Sequence, residues 1–131
     1  MRNKFLGIGE PGYHPLRKVA VVYNGLRFAV RFDFSVAYKL VVALVLITAA
    51  GAMRQWVDFA VILLATGLVL TAELLNSAIE ALCDFLETGH HERIGAIKDV
   101  AAAAVGVSIV VWVVVIGFEA WHLLTLLLGG G

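Results

Sequence analysis

Residues 72–84, Ala-Glu-Leu-Leu-Asn-Ser-Ala-Ile-Glu-Ala-Leu-Cys-Asp, put acids at the end of an apolar run. On a helix turning ~100° per residue, Glu73, Asn76, Glu80 and Asp84 fall within an arc of roughly 80° and share one face. An ionisable group in the hydrocarbon region of a bilayer costs roughly 2.5–3.5 kcal/mol on insertion scales, so its presence points to function. Such a face suits phosphoryl transfer at a membrane surface, which needs a base near the acceptor hydroxyl, carboxylates for Mg²⁺ and cations on the phosphates. Glu73 is the candidate base. Glu80 is a candidate ligand for Mg²⁺, which takes one or two carboxylates alongside phosphate oxygens. Asp33, just ahead of the first long apolar run, is a candidate second ligand. The same spacing also fits a cation held in a small transporter, or a polar contact between helices of an oligomer. Asp84 and Glu87 read equally well as solvated acids.

The elements that must carry this face follow from composition. The chain has 131 residues, 61% hydrophobic and 15% charged, with ten basic and ten acidic side chains. That is the composition of a single membrane domain, residues 1–131. The zero net charge and the lack of a Lys/Arg run with interleaved aromatics exclude a nucleic-acid track. The lone cysteine, Cys83, makes neither an intramolecular disulfide nor a zinc site, and reads as a small packing residue.

Residues 1–13 carry Arg2, Lys4 and Glu10 without the apolar core and cleavage site of a signal peptide, so the first long apolar run is expected to remain as an anchor. Gly7, Gly9 and Gly12 match GxGxxG, but no strand precedes them and Pro11 interrupts them, which argues against a nucleotide loop. Over about 16–32, Arg17, Asn24, Arg27 and Arg31 share one helical face while Val19, Val22 and Ala29 lie elsewhere. A basic amphipathic helix of this kind lies in the membrane interface. A first span is expected over about 36–53, with Tyr38 and Lys39 reaching back to the interface. A polar turn with Arg54, Gln55, Trp56 and Asp58 leads to a second span over about 58–86. Glu73 lies ~21 Å beyond Phe59 in a core roughly 30 Å thick, so it sits just under the far interface and Glu80 at or past it.

A polar connection is expected over 84–99, then a third span over about 100–120. Its small residues, Ala101 to Ala104, Gly106 and Ser108, allow close helix contact. Glu119, Trp121 and His122 mark its other interface, and the Leu-rich end with three glycines reads as a frayed tail. Arg2, Lys4, Arg17, Lys18, Arg27, Arg31, Arg93 and Lys98 fall on one side and Arg54 on the other. The N-terminus and the 84–99 connection are therefore expected in the cytoplasm. Three spans lack the paired, interrupted helices of inverted-repeat carriers, which disfavours the transporter.

Residues 73–84, followed by His91 and by Lys98-Asp99-Val100-Ala101-Ala102, closely resemble the signature of the small bacterial integral-membrane diacylglycerol kinases, a family that includes undecaprenol kinases. The likeness reaches back through Asn24-Gly25-Leu26-Arg27 to Asp33. It implies an all-α membrane protein with three transmembrane helices behind an interfacial helix. It also implies a homotrimer in the bacterial inner membrane, with active sites near subunit contacts. The implied reaction moves the γ-phosphate of MgATP to a membrane-embedded alcohol, diacylglycerol or undecaprenol. By position, Glu73 matches the general base and Glu80 a Mg²⁺ ligand, with Asp33 as the other. Asn76, His91, Lys98 and Asp99 match residues on the nucleotide side of the site, and Arg27 lies in the segment lining the lipid site. The basic residue facing ATP falls around His14 or Arg17.

Two departures from the pattern bear on this. Asp33 stands where the family usually has Glu, and Gly89-His90 where relatives often have an acid and Tyr. They support the rival reading, a non-catalytic trimeric membrane protein whose acidic face serves assembly or cation binding. Lys98 and Asp99 also read as a charge pair at a helix start.

Overall fold

The computed structural model describes residues 15–86, 89 and 91–129. The glycines of the N-terminal lead, His14, Glu87 and His90 lie outside the described residues. Four helices make up the described chain: α1 (Pro15–Phe32), α2 (Phe34–Ala52), α3 (Trp56–Leu86) and α4 (Glu92–Gly129). α1 and Asp33 form one compact unit and α2–α4 a second.

α1 begins on Pro15, whose missing N–H costs nothing at the first helical position. Its ladder extends to Asp33, whose N–H donates to the Ala29 carbonyl at 2.8 Å. Leu16, Val19 and Val22 are exposed along it.

In the second unit α3 is central, packing on both α2 and α4. α2, α3 and α4 are each long and apolar enough to cross a membrane. At 1.5 Å per residue, α2 is ~28 Å long and matches a hydrocarbon core, whereas α3 at ~46 Å and α4 at ~57 Å exceed it. The excess of α3 is the segment bearing Glu80 and Asp84. Ala50, Ile62, Ala65, Val69, Trp112, Ile116 and Leu123 form the core. Small buried residues, Ala43, Ala50, Ala65, Ala101 and Ser108, let the helices approach closely, which is what drives association in lipid. Of the small residues at the start of the third span, Ala101 and Ser108 are buried and Ala102, Ala103, Ala104 and Gly106 are exposed.

Three side-chain pairs fix the register of α3 against α4: Asp58 with His122, Thr66 with Trp112, and Asp84 with Lys98. Each pair is arranged about a midpoint near residue 90, as two antiparallel helices in one register require.

α4 differs from expectation at both ends. It starts at Glu92 rather than near 100, because Glu92, Arg93 and Asp99 occupy solvent-facing positions that a helix outside the membrane accommodates. His91 opens it, its carbonyl accepting the Gly95 N–H at 2.9 Å. The expected frayed tail is helical through Gly129, with Leu123 buried at 2% exposure. Trp56, expected in the turn, joins Asp58, expected at the start of the span, in the first turn of α3, where an acid interacts favourably with the helix dipole.

The turn between α2 and α3 is therefore only Met53, Arg54 and Gln55. The Gln55 N–H donates to the Ala50 carbonyl at 2.8 Å and the Arg54 N–H to Gly51 at 3.1 Å, a Schellman-type helix end. Arg54 sits at φ 58°, the left-handed conformation that glycine adopts without penalty. Arg54→Gly is expected to raise the stability of the detergent-solubilised protein by up to about 1 kcal/mol, and the β-branched Arg54→Val to lower it. Thermal unfolding of the three proteins side by side checks the order, and an unchanged midpoint in both variants contradicts it.

Candidate active site

Glu73 is 4% exposed on α3, among apolar neighbours, and its carboxylate does not stand alone. Oε1 accepts from Lys39 Nζ at 2.5 Å and from Ser35 Oγ at 2.7 Å. Ser35 Oγ in turn accepts from Lys39 Nζ at 2.5 Å. Ser35 and Lys39 are one turn apart on α2 and so face α3 together. Lys39 is fully buried, with Nζ 5.0 Å from the centre of the Tyr38 ring. The expected extension of Lys39 to the interface is thus overturned: it turns inward to a carboxylate. Paired with a counter-charge, an ammonium avoids the cost of standing alone in a low dielectric.

The other oxygen of Glu73, Oε2, is buried with no hydrogen-bond partner among the described residues. One turn on, Asn76 Nδ2 donates to Glu80 Oε1 at 2.8 Å, and Asn76 Oδ1 is a second buried acceptor without a partner among the described residues. The stripe read from spacing is thus continuous, from a buried carboxylate through a half-buried amide to an exposed carboxylate. It offers two unused acceptor oxygens at its buried end. Buried acceptors are nearly always satisfied, so these two mark places where a donor or cation from elsewhere fits. Glu80 and the Asn76 amide oxygen are hard oxygen donors of the type Mg²⁺ prefers.

The remaining candidates are more scattered. Lys98 Nζ donates to Asp84 Oδ1 at 2.6 Å, bringing the end of α3 to the start of α4, and both side chains reach solvent. Asp84, which by sequence reads equally well as a solvated acid, therefore holds one of the expected nucleotide ligands. His91 and Asp99 are exposed at the start of α4. Arg17, Arg27 and Asp33 belong to the unit of α1, where Arg27 lines a shallow groove with Tyr23, Leu26 and Val30. Within the second unit the structure thus assembles Glu73, Asn76 and Glu80, adds Ser35 and Lys39, and couples Lys98 to Asp84.

Ser35 gave no signal in the sequence. Lys39 did, because an ion inside an apolar run deserves a partner. Lys39 and Glu73 lie fifteen and nineteen residues from Arg54 on antiparallel helices, so their depths differ by only ~6 Å, within reach of a lysine side chain.

A helical membrane bundle with a buried, charge-anchored glutamate and a stripe of oxygen donors running to its end is the class that fold and site define. The prokaryotic diacylglycerol kinase family matches this chain over residues 20–119. The chain belongs to that family, and is a multi-pass membrane protein. Among curated proteins, the diacylglycerol kinases of Escherichia coli K12 and of Shigella flexneri are each 47% identical to it over 47 residues, which is 36% of this chain and 38% of theirs. The matched stretch thus spans well under half the length of those relatives.

Because Lys39 and Glu73 are both buried, removing one partner strands the other. Lys39→Met alone is expected to cost about 3–5 kcal/mol, and Lys39→Met combined with Glu73→Leu to recover most of it. Unfolding in detergent micelles measures both, and a double variant no more stable than Lys39→Met contradicts the pairing.

Proposed function

We propose that the chain is a lipid kinase transferring the γ-phosphate of MgATP to the hydroxyl of diacylglycerol, giving phosphatidic acid. Undecaprenol is the alternative acceptor, with the same mechanism. Family membership supports the reaction class, and the unpartnered Oε2 of Glu73 carries the assignment of the base. Lys39 and Ser35 hold Oε1, which fixes the carboxylate and leaves Oε2 to accept the proton of the lipid hydroxyl. As that proton moves, the lipid oxygen bonds to the γ-phosphorus and the bond to the β–γ bridging oxygen breaks, releasing ADP. The proton on Glu73 then passes to water. Asn76, one turn nearer the helix end, is a proposed contact of the nucleotide, its Nδ2 exchanging Glu80 for a phosphate oxygen. Glu80 and Asp33 would hold Mg²⁺, which neutralises phosphate charge when bound. Lys98, Asp99, His91 and Arg17 are the proposed contacts of the nucleotide, Lys98 after exchanging Asp84 for phosphate.

The proposed setting is the bacterial inner membrane, with α1 in the interface, its Arg27 beside the lipid acceptor, and the Glu80 end of α3 in the cytoplasm. Basic residues concentrated on that side support this orientation. A homotrimer is the proposed assembly. The exposed apolar faces of α2–α4, such as Leu44, Leu64 and Val110, leave ample surface for other copies and for lipid.

One observation favours the non-catalytic reading. The Lys39–Glu73 pair satisfies Glu73 in part within one chain, as a purely structural ion pair does. Turnover separates the two. Purified protein in mixed micelles with labelled ATP is expected to phosphorylate diacylglycerol or undecaprenol, and Glu73→Gln to lose at least ~10²-fold in kcat while remaining folded. Transfer to neither lipid, or a near-normal Glu73→Gln, overturns the proposal. MgATP is expected to stabilise the wild type against heat, by about 2.7 kcal/mol at a hundredfold excess over Kd, and Glu80→Ala to abolish that shift. Equal stabilisation of both proteins removes Glu80 from metal binding.

A further inference from the structure

At the end of the bundle away from Glu73, fifteen residues or ~22 Å along α3, three ligating side chains meet. Asp58 comes from the first turn of α3, and Glu119 and His122 from α4. Each offers one ligand atom, and these atoms all lie within 4.8 Å of one another. His122 Nδ1 is 2.7 Å from Asp58 Oδ2. Glu119 and His122 are spaced i, i+3, so a single face of α4 presents both. The same Glu-x-x-His spacing presents metal ligands to the interior of ferritin-like helical bundles.

Two further observations point to a cation site. Asp58 is only 8% exposed although it is an acid facing a second acid, an arrangement that repels unless positive charge lies between them. Glu119 Oε2 is buried with no hydrogen-bond partner among the described residues, so this carboxylate has an acceptor oxygen with nothing to accept. His122 is half exposed, which leaves a route for an ion from water. Trp56 and Trp121, both exposed beside the cluster, place it at the level of a membrane–water boundary.

We infer that Asp58, Glu119 and His122 form a binding site for a divalent transition-metal ion, of the Zn²⁺ class, that joins α3 to α4 at the end of the bundle remote from the acidic stripe. One imidazole and two carboxylates match the mixed nitrogen and oxygen donors that Zn²⁺, Mn²⁺ and Co²⁺ accept, whereas Mg²⁺ selects all-oxygen sets. Donor atoms bound at ~2.0–2.2 Å to one ion stand ~3–4 Å apart, so Asp58 and His122 separate slightly as the ion replaces the hydrogen they share. Three protein ligands leave at least one position for water. The ion would lock the register that Thr66–Trp112 and Asp84–Lys98 set elsewhere, and its role is structural.

The test is Zn²⁺ binding to the full chain in detergent micelles after treatment with a chelator, in excess Mg²⁺ to occupy oxygen-only sites. Equilibrium dialysis is expected to find one tight Zn²⁺ per chain, with a raised unfolding temperature. Glu119→Gln, which preserves shape, and His122→Gln are each expected to weaken binding by at least ~10-fold and to remove the shift. Co²⁺ should give visible d–d absorption in the wild type that both variants lose. Glu73→Gln, at the far end, should bind Zn²⁺ as the wild type does. No saturable Zn²⁺ binding, or equal affinity in wild type, Glu119→Gln and His122→Gln, overturns the site. Should His122→Gln not fold, Glu119→Gln and the Co²⁺ spectrum decide alone.

Discussion

The ion pair between Lys39 and Glu73 is the interaction around which the rest is arranged. Moving either ion alone into a low-dielectric interior costs several kcal/mol even after relaxation, so neither would sit there without the other. The pair is not needed for stability, since well-packed apolar residues often replace buried ion pairs with no loss. What it supplies is geometry. Two donors, the ammonium of Lys39 and the hydroxyl of Ser35, converge on Oε1 and leave Oε2 facing no partner among the described residues.

Helix lengths and turns translate that local arrangement into a division along α3. A three-residue turn at Met53–Gln55 sets α2 against α3 so that Lys39 and Glu73 come to nearly the same depth. From there the extra length of α3 carries the same face out of the hydrocarbon, from a buried carboxylate to an amide to a solvated carboxylate. The group proposed to accept the proton, Glu73, thus lies at the buried end of the stripe. The oxygens proposed to hold Mg²⁺ lie at the exposed end of the stripe, within reach of water. Asp84 and Lys98 close α3 onto α4 at this end, and Asp58 and His122 at the other.

Much of this was legible in the sequence because membrane helices advertise themselves by length and apolarity. The stripe Glu73–Asn76–Glu80 follows from the 100° turn alone. Besides Ser35, three features escape a reading of each segment by itself. The polar start of α4 looked like a connection because Glu92, Arg93, Lys98 and Asp99 are compatible with either a loop or a solvated helix, and hydropathy does not distinguish them. Lys39 taken with its own helix fits a side chain reaching for water, as a lysine near a helix end ordinarily does. Only the register with α3 reveals the acid waiting at its depth. Asp58, Glu119 and His122 were visible as boundary residues, but sixty-odd residues separate them, and their meeting depends on the antiparallel register of α3 and α4.

The most direct measurement is an experimental structure of the protein with diacylglycerol and a non-hydrolysable MgATP analogue bound. The expected result is the lipid hydroxyl within hydrogen-bond reach of Glu73 Oε2, about 2.6–3.2 Å, with Oε1 still held by Lys39 and Ser35. A lipid hydroxyl bound elsewhere, with Oε2 paired to another protein group, would contradict it.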